Sequence, residues 1–281
     1  MFKYFINFQI LVTVLFGFDM SKSSTILLDN GFIDYQDRII LAKGSSLIIE
    51  RRTNSDGLEV IEKNLKISKG EAKARARENL LDIVKLVNFD GRMVGELMLE
   101  DHFTKNRVES LVESAFQQGE IEYLEKKEVE ISLAVKMSGL AEILIDAGGH
   151  LNENISQSTF LMTKNLIPKS ERVSGIIIDA RNIYHVPAMV PKVFSEADKL
   201  VYGPRHYTRS RSVNRGPIGY AHSPEDGNVL RRVGNNPLFV EAITSDDTVN
   251  LTVSNFDADK IRDVEKKFGL LTNCKVLVLL K

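Results

Sequence analysis

The sequence predicts an α+β protein made of two small mixed α/β domains, the first a strand-helix-strand-strand module, and three observations predict it. The chain has 281 residues, which exceeds the usual span of one domain at about 100 to 200 residues. Ala72, Ala76, Leu80, Ile83, Val84 and Val87 recur at steps of three and four, the signature of a helix with one apolar stripe. Glu128 to Val135 alternates polar and apolar residues, the period of a strand with one face on a core. Hydrophobic residues at 43% and charged residues at 27% match a globular protein, so each half can bury a core.

At the N-terminus a single charge at Lys3 precedes an apolar run from Tyr4 to Phe18, and the polar stretch Asp19 to Ser24 follows. That order is the n-, h- and c-region order of a secretory signal. The run is shorter than the roughly 20 residues a bilayer-crossing helix needs, so residues 1–24 predict a removed export segment and membrane contact is confined to it. A lipoprotein would carry a cysteine just after the apolar run, and Cys274 is the only cysteine of the chain.

The first module is expected over residues 25–150. Arg38 to Ala42 and Ser46 to Glu50 read as two short strands broken by Lys43, Gly44 and Ser45. Ser68 stands three residues before Glu71, the spacing of a capping box, and places a helix start there. Arg107 to Val112 reads as the first of two paired strands joined near Gly119, with Glu128 to Val135 as the second. Ser138 to Ala147 predicts a short helix stopped by Gly148 and Gly149. A polar linker follows over residues 151–170, and the second domain occupies residues 171–281. It opens on the apolar strand Val173 to Asp179. Pro187, Pro191, Pro204 and Pro217 then punctuate short extended pieces, including Lys199 to Tyr202. Strand character resumes at Leu238 to Ile243 and Val249 to Val253. A helix from Phe256 to Phe268 stops at Gly269, and Cys274 to Leu280 closes the chain as a strand.

Charge and motif content narrow the function. Lysine and arginine total 37 against 38 aspartates and glutamates, so no overall field draws nucleic acid or an anionic membrane, and no nucleic-acid partner is expected. His102, His150, His185, His206 and His222 are scattered without ligand spacing, so no metal site is predicted. Gly-x-Ser-x-Gly, the P-loop and the dinucleotide fingerprint are absent, and the reading is of a protein that is not an enzyme and takes no cofactor. Asp257 and Asp259 suit the first turn of the last helix better than a calcium loop. The one strong charge cluster is Arg205, Arg209, Arg211 and Arg215, with Tyr207 among them. Forked guanidinium groups and a stacking ring suit an anionic envelope polymer, while a solvated loop between two prolines is the plainer account. Asp179 and Arg181 read either as a site pair or as a strand-end carboxylate tying a turn.

Residues 70–84, with the stretches 107–112 and 129–135, carry a resemblance. Over roughly residues 38–147 the chain resembles the compact module of FlgP-like envelope lipoproteins, which include flagellar basal-disk proteins and share the module with the FlgT flagellar ring protein. The segments 174–181, 187–193, 201–203, 219–221, 236–238 and 273–276 are similar to a region that accompanies this module in exported bacterial proteins. The resemblance implies no catalytic residues. It implies a structural or assembly part of the periplasm or outer membrane, flagellum-associated, that self-associates or docks on envelope proteins.

Overall fold

In the computed structural model of the chain, residues 24–48, 58–125, 127–145, 168, 172–244 and 248–281 are described. Of the export segment at residues 1–24 all but Ser24 lies outside them, as do all of the 151–170 linker except Pro168, and Gly148 and Gly149. The described residues form two sheets with seven α-helices, an α+β architecture of two mixed halves.

The first sheet is antiparallel. β1 (Thr25–Leu28), β2 (Gly31–Asp34) and β3 (Ile39–Leu47) form a meander. β3 also pairs along its whole length with β6 (Glu128–Lys136), and β4 (Phe116–Gln117) and β5 (Glu122–Leu124) add to the far edge of β6. Val129, Ile131, Leu133 and Val135 of β6 are buried on the face covered by the helix α1 (Leu58–Lys85), as the alternation requires. The predicted stripe is buried in full, from Ala72 to Val84 on α1 and at Val87 just past its end.

Three local expectations are corrected. β3 runs without interruption from Ile39 through Lys43, Gly44 and Ser45 to Leu47, so Gly44 does not break it, and Ile49 and Glu50 of the second run lie outside the described residues. A Cβ at Gly44 would lie 2.1 Å from the Ala76 nitrogen and 2.4 Å from the Ala72 carbonyl oxygen, so the glycine lets the helix backbone rest on the strand. Second, α1 begins at Leu58, so Ser68 lies inside the helix. Its hydroxyl donates to the Asn64 carbonyl oxygen one turn back at 3.2 Å, and Glu71 instead accepts from Ser46 at 2.8 Å. Third, Arg107 to Val112 is helical. After α2 (Val94–Glu100), α3 (His102–Glu113) starts at Asp101, whose carboxylate accepts from the backbone nitrogens of Phe103 and Thr104 at 3.1 and 2.8 Å. Val108 and Val112, four apart, are both buried, a helical period inside a run of strand-favouring residues.

α4 (Met137–Leu144) follows β6 directly. The second sheet has the order β10-β13-β7-β11-β12-β8-β9. Its centre is parallel: β7 (Gly175–Asp179) lies between β13 (Val276–Leu279) and β11 (Pro237–Thr244), with β10 (Ile218–Ala221) beyond β13. β12 (Leu251–Val253) joins β11 antiparallel, and β8 (Val193–Ser195) and β9 (Leu200–Tyr202) complete the edge. The helices here are α5 (Arg209–Arg215), α6 (Gly227–Val233) and α7 (Asn255–Phe268). α7 matches its expectation: Ser254 accepts from the Asp257 nitrogen at 3.0 Å, and Gly269 ends the helix in the left-handed region. Asp257 and Asp259 pair with Lys260 and Arg262 on its surface.

The halves share one core. Tyr35 and Tyr220 meet edge to face at 6.1 Å, and the buried Asn88 donates its amide to the Pro187 carbonyl oxygen at 3.2 Å. The nitrogens of Met189 and Val190 donate to the carbonyl oxygens of Asn88 and Phe89 at 2.9 and 2.7 Å. Gly44→Val places a branched side chain where the α1 backbone lies, and it should lower unfolding stability by about 2 kcal/mol or more, read as a fall in the urea midpoint.

Candidate functional site

The arginine-rich segment does not form a loop. Pro204–His206 is one turn of 3-10 helix, and α5 runs from Arg209 to Arg215. Tyr207, read as a stacking ring, is buried and meets Tyr202 at 5.5 Å, so no base or sugar reaches it. Residues 209 and 211 point about 200° apart on a helix, so the arginines fan out instead of gripping one surface. Arg205 is exposed on the 3-10 turn. Arg211 donates to the Asn273 side chain.

The others meet helix ends. The last carbonyls of a helix have no partner within it and carry the negative end of its dipole, so a guanidinium there satisfies both needs. Arg209 donates to the Glu142 and Ile145 carbonyl oxygens at the end of α4, at 2.7 and 3.1 Å, and to the Glu142 carboxylate at 2.7 Å. Arg215 donates to the Arg231 and Arg232 carbonyl oxygens at the end of α6, at 3.1 and 2.7 Å. The end of α5 is served twice. Arg38, from the first half, donates to the Val213 and Asn214 carbonyl oxygens at 3.1 and 2.9 Å. Arg232 donates to those of Arg215 and Gly216 at 2.8 and 2.7 Å, and its Nε reaches the Val276 carbonyl oxygen at 2.6 Å. Consecutive carbonyls from Val213 to Gly216 are thus all occupied by two arginines.

Arg38 holds a backbone φ of 57°, a left-handed conformation that costs an arginine roughly 1–2 kcal/mol and that aims its side chain across the junction. Burial draws the Arg232 guanidinium down to about 10, with Arg215 and Arg38 adding to the shift, and Arg232 stays charged at neutral pH. Burial also lowers Arg38.

Between the halves this network borders an open cleft of about 530 Å³. Arg38, Lys136, Arg215, Arg231 and Arg232 line it with Gln36, Asp37, Ser138, Asn214 and Asn228. Among the described residues, no carboxylate forms an ion pair with any of those five cations. Of the four arginines singled out in the sequence, only Arg215 lines the cleft. Arg38, Lys136, Arg231 and Arg232 were not singled out, since they lie far apart in the chain and only the pair at 231 and 232 leaves a local charge signal.

Asp179 and Arg181 close on each other at the end of β7. Arg181 donates from Nε to one carboxylate oxygen at 2.9 Å and from Nη2 to the other at 2.5 Å, and its backbone nitrogen joins at 3.1 Å, which is the turn-tying arrangement.

Comparison with known proteins adds one finding. Residues 175–281 match the family described as the second domain of Treponema pallidum Tp0624. The match begins at the first residue of β7 and covers the whole second sheet, less than half of the chain. No curated protein matches the chain.

Two predictions follow from the contacts. Arg209→Ala removes charge-assisted bonds from the end of α4 and should cost about 1.5–3 kcal/mol of stability in urea unfolding. The Arg181 side chain, and after the opposing effect of burial its backbone nitrogen, holds the Asp179 carboxyl below its ordinary range. Its contribution is present above the unfolded-state pKa of about 4 and is lost as pH falls through the lower folded value. The difference in melting temperature between the natural protein and Asp179→Asn should therefore shrink as pH is lowered from about 5 to about 2.

Proposed function

We propose that the chain is a non-catalytic structural component of a bacterial envelope assembly, exported to the periplasm or to the outer membrane and associated with a flagellar structure of the FlgP-like type. The observation that carries the reading is an open strand edge. Among the described residues β5 pairs with β6 on one side only, and all three of its residues are exposed, with Tyr123 at 56% and Leu124 at 38%. Leu47 of β3, 63% exposed, shares a row with Leu124 through their common partner Glu128. Free backbone groups beside exposed apolar side chains suit strand addition from a second chain. The arginine-capped junction supports the same reading, because it fixes the two halves relative to each other as a load-sharing part requires. The FlgP-like sequence pattern over residues 38–147 supplies the envelope setting.

The test is sedimentation of the purified full chain together with in-cell crosslinking. The natural protein should sediment as an oligomer and crosslink within the envelope. Tyr123→Lys with Leu124→Lys places charge on the edge and should return it to a monomer with the fold intact by circular dichroism. A natural protein that stays monomeric and crosslinks to no envelope component overturns the proposal.

A further inference from the structure

We propose that the cleft between the two halves is a binding site for a phosphorylated sugar. The cleft is cationic beyond what its own structure consumes. Five cations line it against the single carboxylate of Asp37. The two helix ends that Arg38, Arg215 and Arg232 cap contribute about half a negative charge each, which leaves an excess of positive charge facing solvent. A guanidinium has five N–H groups. Arg38 and Arg215 each spend two bonds on backbone carbonyls, so both keep donors for a ligand. Lys136 and Arg231 are exposed at the rim, and among the described residues the Arg231 side chain bonds only Asn228. Forked guanidinium donors around one volume suit the tetrahedral oxygens of a phosphate.

The remaining lining indicates what the phosphate is attached to. Gln36, Asn214, Asn228 and Ser138 offer paired donors and acceptors, and Asp37 offers a carboxylate acceptor. That set matches neutral hydroxyl groups, which both give and accept hydrogen bonds. A volume of about 530 Å³ lies within the range of small-molecule sites and exceeds what a bare phosphate would fill. Asn228 donates to Asp37 across the junction at 3.3 Å, so residues of both halves form the site and a ligand there touches both.

The experiment is isothermal titration of the full chain with glucose 6-phosphate, inorganic phosphate and glucose at 0.15 M salt. Saturable binding of glucose 6-phosphate is expected at least tenfold tighter than either inorganic phosphate or glucose. Lys136→Ala with Arg231→Ala removes rim charges whose side chains bond no helix carbonyl among the described residues and should weaken that binding at least tenfold without lowering the melting temperature. Lys105→Ala with Lys267→Ala removes the same charge from remote helices and should leave affinity unchanged. No binding by the natural protein, equal affinity for inorganic phosphate and glucose 6-phosphate, or undiminished binding by the rim variant overturns the proposal. The self-association tested at β5 is read separately by sedimentation, so the two results are independent.

Discussion

The arrangement of the second half around the first depends on guanidinium groups bonded to helix carbonyl ends. α5 and α6 have seven residues each, and α4 has eight. Helices this short do not persist alone, because nucleation costs more than two turns return. Their ends leave carbonyls that burial would strand without partners. Arg38, Arg209, Arg215 and Arg232 supply those partners with charged donors, whose bonds are stronger than neutral ones. At the end of α6 the accounting is complete. Gly234 donates to Leu230, Arg215 to Arg231 and Arg232, and Ser174 to Val233.

That role also explains how Arg38, Arg215 and Arg232 crowd together with no carboxylate ion pair among the described residues, while Arg209 also bonds the Glu142 carboxylate. Helix dipole ends are diffuse counter-charges that need no acidic side chain, so the cluster is tolerated while its outer surface stays cationic. The lowered position of Arg232 records the cost of burying one member. The same residues therefore join the halves and leave the cleft between them cationic.

The first half presents itself differently. One face of its sheet is sealed by α1, closely enough that only glycine fits at position 44, while the other face is mixed, with Leu41 and Ala134 buried and Lys43 and Leu47 exposed, and β5 is exposed. A two-layer unit of this kind satisfies its interior and leaves backbone groups open on one side. The second sheet has its central strand β7 covered on both faces: α6 packs on the side of Ile177, and the shared core lies on the side of Ile176 and Ile178. Its near-continuous apolar run Ile176 to Ile178 is the sequence record of that double burial.

The α1 stripe and β6 were legible from a one-sided period, β7 from its short apolar run, and the last helix from Phe256 to Phe268 with its stop at Gly269. Sequence pattern failed where local signals were ambiguous. Val108 and Val112 sit in strand-favouring company, and only packing against α1 and α4 decides that they are helical. Gly44 resembles a break because sequence does not show that a helix backbone lies against it. Ser68 carries capping chemistry, but a helix that began ten residues earlier turned it inward. The charge of Arg205 to Arg215 was plain in the sequence, and its use was not. A helix turns about 100° per residue, so neighbours in sequence diverge in space. The residues that do converge, Arg38, Lys136, Arg215, Arg231 and Arg232, come from four separate segments. Only the tertiary structure brought them to one cleft, because side chains distant in sequence meet only once the two cores have joined.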